Sequence, residues 1–235
     1  MPSSKSISSR LTPAWAANLK SILVAVAVAL SVRGVLAEAF KIPSGSMIPT
    51  LAIGDQIFVN KLRYGVRIPW TTYRLIDLQA PQAGEVAVFV APIPPGDDFI
   101  KRVIGVAGDE VSVVGGIVRI NGLALPREPL GAVTYWDREG QAGPWYAFEA
   151  EAFRERLGSA EYTVIQDRMR PHPDFGPYRV PPGHVLMMGD NRDHSYDGRD
   201  WGPVPLNHML GRAIFVWWSW GQHGLALSRL FHWVP

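Results

Sequence analysis

Two serines in one short, proline-bounded segment are the first residues that could do chemistry. In Phe40-Lys-Ile-Pro-Ser-Gly-Ser-Met-Ile-Pro-Thr-Leu51, Pro43 and Pro49 bracket Ser44, Gly45 and Ser46, a pattern that predicts a stiff turn with close backbone approach at the glycine. A serine presented this way can be a nucleophile; an ordinary Ser/Gly/Pro linker is the competing reading of the same residues. A nucleophilic serine needs a base, and Asp97-Asp-Phe-Ile-Lys-Arg-Val-Ile-Gly105 offers Lys101. In a period-two strand Phe99, Lys101 and Val103 share one face, while Ile100, Arg102 and Ile104 share the other. Turned inward among those neighbours, Lys101 loses hydration, its pKa falls, and a neutral amine becomes available; turned outward, it is a common surface lysine. A third cluster, Gly189-Asp-Asn-Arg-Asp-His-Ser-Tyr-Asp-Gly-Arg-Asp-Trp-Gly-Pro-Val-Pro205, packs polar groups more densely than a plain turn requires, with a surface loop of satisfied ion pairs as its alternative.

Other chemistries are disfavoured by what is absent. The chain has no cysteine, which removes disulfides, thiolate metal sites and a thiol nucleophile, and leaves the redox compartment open. Its six histidines form no His-Glu-x-x-His, and neither a P-loop nor a GxGxxG dinucleotide fingerprint occurs. Asp193-x-Ser195-x-Asp197-Gly198 begins like a calcium loop, but the twelfth position is Val204 rather than Glu. A net charge of +2 and a pI near 9.0, without basic-aromatic stacking platforms, give a nucleic-acid partner little support.

The elements that must carry these residues are mainly strands. With 23 glycines, 20 prolines and only 19% charged residues in 235, long helical bundles and disordered tails are disfavoured. Segments 56–60, 85–90, 99–106, 110–114 and 117–121 are rich in β-branched and aromatic residues, and Gly115-Gly116 between the last two signals a hairpin. Strand pattern returns at 183–188 and 212–218. Residues 128–178 interrupt it and read as an insertion with one expected helix at Ala147–Leu157. The N-terminal stretch is cationic, and the apolar run after Lys20 reaches Ala37 if Arg33 snorkels. Seventeen residues at ~1.5 Å each span about 25 Å, the short end of a membrane crossing. A single-pass anchor is the preferred reading; a cleavable signal with Ala37-Glu-Ala39 as its site and a buried core helix are the alternatives. The basic N-terminus then stays in the cytoplasm, and the chain beyond about residue 40 lies outside.

Taken together, Ser44-Gly-Ser-Met-Ile-Pro-Thr50, Gly54-Asp-Gln-Ile-Phe-Val-Asn-Lys61, Lys101-Arg-Val-Ile-Gly105 with Gly108-Asp109, and Gly189-Asp-Asn-Arg-Asp-His-Ser195 running on to Trp201-Gly-Pro203 resemble the bacterial type I signal peptidases, membrane-anchored Ser/Lys proteases. Four motifs in family order behind an apolar segment make a specific match over about residues 20–220. The resemblance implies Ser46 as nucleophile and Lys101 as general base. Ser44 would donate its hydroxyl to the oxyanion beside the Ser46 N–H, and Ser195 would orient the lysine amine. Asp197 and Arg199 would form a supporting ion pair, and Ile42, Pro43 and Ile100 would wall the pockets for small substrate side chains. It implies no cofactor and no metal. Two departures are visible: some family members carry a second transmembrane segment and a disulfide in the insertion, whereas this chain reads as one segment without cysteine. His194 stands where the family often has Asn and reads as a loop residue.

The fold expectation is therefore mainly β: an antiparallel β-sheet catalytic domain with an inserted α+β subdomain, preceded by one N-terminal transmembrane helix. Residues 1–20 are the expected cytoplasmic N-terminus, 21–40 the anchor, 41–127 and 179–235 the two parts of the catalytic domain, and 128–178 the insertion. The expected function is removal of signal peptides after A-x-A sites at the outer, periplasmic face of the bacterial cytoplasmic membrane. The expected partners are precursor proteins carrying signal peptides, membrane lipid and the export translocase. A related peptidase maturing a pilin or conjugation subunit, and a catalytically inactive export adaptor, are the alternatives. Ala37-Glu-Ala39 also offers the enzyme its own preferred pattern, seven residues before Ser46.

Overall fold

The computed structural model describes residues 18–19, 21–24, 37–67, 71, 73–138, 140, 143–170 and 172–235. Residues 18–19 and 21–24 are helical, and residues 25–36 of the expected anchor lie outside the described residues. Among the described residues no helix is long and apolar enough to cross a membrane.

Alternation builds the main sheet. In Asp55–Asn60 the side chains alternate buried and half-buried, with Ile57 and Val59 in the core, the period expected of a strand with one dry face. Burying each of these side chains is worth about 1.5–3 kcal/mol. The sheet runs in the order Ala37–Lys41, Asp55–Asn60, Met209–Gly221, Val86–Val90, Asp98–Val106, His184–Met188 and Val204–Pro205, all neighbours antiparallel. Gly224–Leu225 and His232–Trp233 add to Met209–Gly221. A second sheet is ordered Phe175–Arg179, Glu110–Val114, Ile117–Ile120 and Leu123–Ala124. Its hairpin turns at Gly115 and Gly116, whose φ values of 55° and 77° suit glycine. All seven strands read from the sequence are present, with ends shifted by no more than three residues.

The insertion corrects the expectation of an α+β subdomain. Ala147–Leu157 is no helix: Trp145–Leu157 is the central strand of an antiparallel sheet between Arg127–Arg138 and Ala160–Asp167. Alanine, glutamate and arginine favour helix locally, but Ala150 and Ala152 are buried while Glu149 is exposed, a period-two pattern that only a sheet satisfies. Cross-strand ion pairs Arg154–Glu161, Arg156–Glu161 and Arg168–Glu151 cover the charged face. Ile48 of the serine segment packs with Tyr135, Ala150, Ala152 and Ile165 of this sheet. The insertion thus lies directly against the segment that carries both serines.

Candidate active site

Ser46 sits in a single 3₁₀ turn, Gly45–Met47, between Ser44 in extended conformation and Ile48. Beneath the turn, Met47 and Leu51 fill the core with Ile42, Ile57 and Val216, so the apolar residues of the segment anchor it. The turn leaves Ser46 only 7% exposed. The Ser44 and Ser46 hydroxyl oxygens lie 3.5 Å apart.

Lys101 comes from Asp98–Val106, opposite Ala87 of the neighbouring strand. It is 4% exposed, and its ammonium lies 5.9 Å from the Phe99 ring centre. Its Nζ donates a hydrogen bond to Ser46 Oγ. Burial pushes the Lys101 pKa down to about 8; Arg199 lowers it further, while the Asp197 and Asp190 charges oppose the shift without cancelling it. The strand has no wet face here, because Arg102 next to Lys101 is fully buried as well. A lysine amine hydrogen-bonded to a serine hydroxyl in a dry site can accept that hydroxyl's proton, which is the requirement for general-base activation.

The third cluster follows immediately on the strand His184–Met188, which pairs with Asp98–Val106. Asp197 accepts hydrogen bonds from the Gly189 N–H (2.9 Å) and from the Arg199 Nε and guanidinium NH2 (2.9 and 2.8 Å). Burial resists ionisation of Asp197, but the Arg199 hydrogen bonds and charge and the Gly189 N–H outweigh it and hold its pKa below the ordinary value. Arg199 also donates to the Arg192 carbonyl at 2.6 Å. Asp197 caps the short helix Gly198–Trp201 in a capping box with Asp200. The Ser195 hydroxyl is buried against Gly189 and makes no hydrogen bond, to Lys101 or to any other described residue.

The three proposed pocket walls are placed differently from one another. Ile42 is 2% exposed in the core, Ile100 is half-buried against the same core, and Pro43 is exposed beside Ser44. His194 packs edge-on against Phe148 and Tyr135 of the insertion, with Nε2 at 3.5 Å from Asp167, so its partners are structural.

Two groups at the site went unrecognised in the sequence. Arg102 forms a fully buried two-pronged pair with Asp190 at 2.8 and 2.7 Å, and Thr50 donates to the same carboxylate. Asn191 reaches the serine turn: its backbone N–H donates to the Ser46 carbonyl at 3.1 Å and its Nδ2 to the Gly45 carbonyl at 3.2 Å. Both residues stand in the quoted motifs, but nothing in one-dimensional spacing pairs residue 102 with 190 or 46 with 191.

Residues 15–218 match the family described as signal peptidase, peptidase S26. The chain is 39% identical over 220 residues to a Signal peptidase I of Pseudomonas fluorescens, covering 88% of this chain and 74% of that one. A Signal peptidase I of Pseudomonas aeruginosa is 37% identical over 214 residues, with 86% and 72% covered. A probable signal peptidase I-2 of Synechocystis is 33% identical over 216 residues, with 90% and 77% covered. The family match spans residues 15–218, most of the chain, and the relatives are 33–39% identical over 86–90% of it; on that ground the chain belongs to the signal peptidase, peptidase S26 family.

Proposed function

We propose that the chain is a serine endopeptidase that cleaves N-terminal signal peptides from exported precursors after small residues, with Ser46 and Lys101 as its catalytic pair. The observation that carries this reading is the hydrogen bond from Lys101 Nζ to Ser46 Oγ in a site that lowers the lysine pKa to about 8. Ser46 Oγ attacks the carbonyl carbon of the residue before the cut as its proton passes to the neutral Lys101 amine. The resulting oxyanion is met by the Ser46 N–H and the Ser44 hydroxyl. When the tetrahedral intermediate collapses, the C–N bond breaks and the Lys101 ammonium gives its proton to the departing amine. Lys101, neutral again, takes a proton from water as the water oxygen attacks the acyl ester; the C–Oγ bond then breaks, Lys101 returns the proton to Ser46 Oγ, and the signal peptide leaves as a carboxylic acid.

Asp197 and Arg199 brace the loop behind Lys101, and Ser195 is assigned the task of orienting the amine once substrate is bound. Ile42, Pro43 and Ile100 are assigned to the pockets for small side chains, and the substrate lies extended against the sheet edge. The two catalytic stretches, residues 41–127 and 179–235, act as one domain around the insertion at 128–178. An anchor that ends before Ala37, short of the expected residue 40 because Ala37–Lys41 is a paired strand of the main sheet, would hold that domain at the outer face of the cytoplasmic membrane, beside lipid and the export translocase.

The test is direct. Detergent-solubilised protein mixed with a precursor carrying an A-x-A site should yield the shortened product, and the same protein with Lys101→Ala should yield none. Equal cleavage by the two proteins would refute the assignment.

A further inference from the structure

The insertion is more than a neighbour of the site. Ile165, on its strand Ala160–Asp167, grips the catalytic loop by backbone: its N–H donates to the Asp190 carbonyl and its carbonyl accepts from the Arg192 N–H, both at 3.0 Å. Asn191, held between these two bonds, is the residue that donates to both the Gly45 and Ser46 carbonyls. On the adjacent strand Trp145–Leu157, Glu155 receives the Arg192 guanidinium through two bonds, NH1 to Oε1 at 3.1 Å and NH2 to Oε2 at 2.5 Å. Glu155 and Arg192 are 1% and 2% exposed. A little further along, the Asp167 N–H donates to Asp193 at 2.7 Å, and His194 is wedged against Phe148.

A buried, two-pronged ion pair between an insertion strand and a catalytic loop is an expensive way to obtain stability alone, since apolar residues of like volume usually serve as well. It does fix position. Two parallel N–H···O bonds allow little freedom in the relative orientation of carboxylate and guanidinium. That constraint passes along one residue of backbone to Asn191, and from there to the carbonyls of the two residues that set the Ser46 N–H and Oγ directions.

We propose that Glu155 is a positioning residue of the active site: by clasping Arg192 it holds Asn191, and through it the Gly45–Ser46 turn, in register with Lys101. The insertion sheet is then part of the catalytic apparatus without touching substrate. This rests on the Ser46/Lys101 reading above. Neither Glu155 nor the strand that carries it lies in any motif quoted for the family resemblance. Misplacing reacting groups by about 1 Å costs on the order of 10² in rate.

The experiment compares wild type, Glu155→Gln, Asn191→Ala, the double variant and Lys101→Ala on one A-x-A precursor peptide. Rates are measured per mole of folded protein, well below each melting temperature. Glu155→Gln should lower kcat by roughly 10- to 100-fold with KM changed less than about threefold. Asn191→Ala should fall in the same range, and the double variant should be little worse than either single one, because both act on the same turn. The pH midpoint of kcat/KM should stay in place in Glu155→Gln, since the lysine environment is retained. Glu155→Gln with wild-type kcat, or with losses that add independently to those of Asn191→Ala, would overturn the proposal. If Glu155→Gln does not fold, Glu155→Asp, which keeps the charge but shortens the reach to the two Arg192 nitrogens, takes its place: a fall in kcat of at least threefold at constant KM supports the proposal and an unchanged kcat overturns it. Activity in Lys101→Ala would instead remove the Ser/Lys reading, so the two failures are told apart.

Discussion

Ser46 and Ser44 lie close together but carry different work in the proposed mechanism. Ser46→Ala removes the attacking oxygen and should abolish turnover. Ser44→Ala removes one oxyanion donor and should lower kcat by about 10²–10³. Steady-state cleavage of an A-x-A peptide measures both, and wild-type rates in either variant would contradict its assignment. Lys101 must be neutral to act, and a pKa lowered to about 8 from 10.5 by burial makes that possible near neutral pH. kcat/KM should therefore rise with pH along a limb centred near 8, and Lys101→Arg should be inactive because guanidinium keeps its proton. A limb near pH 6.5 that vanishes on replacing His194 would point to a histidine base. The sign for stability follows from the same shift. Below about pH 8 both folded and unfolded chains hold the lysine proton, and the folded state bears the full cost of a buried charge. Between 8 and 10.5 the unfolded chain binds more protons, so the cost, roughly 3 kcal/mol at most, fades as pH rises.

At the scale of elements, the turn that carries Ser46 and the loop that carries Asp197 meet at Gly189. A methyl group there would strike the Ser46 carbonyl oxygen and the Ser195 hydroxyl. Gly189→Ala should lower kcat by on the order of 10² as the serine turn is pushed away from Lys101. Peptide kinetics with a melting curve alongside check this, and full activity would show that the contact yields. The strand Ala37–Lys41 decides the question of self-processing. Ala37-Glu-Ala39 has the sequence pattern of a substrate, but every residue of that strand is paired with Asp55–Asn60, Ala39 opposite Phe58. An extended segment already committed to a sheet neighbour must be peeled away before it can enter the site. Prolonged incubation should leave the bond after Ala39 intact, read by N-terminal sequencing; a fragment beginning at Phe40 in wild type and missing from Ser46→Ala would oppose this.

Across the whole molecule, aromatic side chains gather on the outer face of the main sheet and its C-terminal edge. Phe58, Phe215, Trp217 and Trp233 form a chain of ring contacts, and Trp220, Leu227, Phe231 and Trp233 are 61–71% exposed. Within the run Val216-Trp-Trp-Ser-Trp220, Trp217 and Trp218 are half-buried; Trp70, in Pro69-Trp-Thr-Thr-Tyr73, lies outside the described residues. An apolar, tryptophan-rich face suits the interfacial zone of a bilayer. A chain begun at Ala37 should co-sediment with phospholipid vesicles at moderate salt, and Trp233→Ser with Phe231→Ser should weaken that binding severalfold without changing cleavage of a short soluble peptide. Failure of the shortened chain to bind would remove the docking face.

The strands, the glycine hairpin and the three clusters of polar residues were legible in the amino-acid order because each depends on local terms: period-two burial at Ile57 and Val59, the backbone freedom of Gly115 and Gly116, and the proline bracket around Ser44 and Ser46. The Trp145–Leu157 segment was misread for the converse reason, since its helix-favouring composition is overruled by hydrogen bonds to two partner strands that lie elsewhere in the chain. The same holds for the site. That Lys101 faces inward, that its amine meets Ser46, and that Arg102 pairs with Asp190 and Arg192 with Glu155 all depend on contacts between residues 37 to 88 positions apart. Burial, which sets the lysine pKa and the strength of every one of these bonds, is a property of the packed chain and has no local signature.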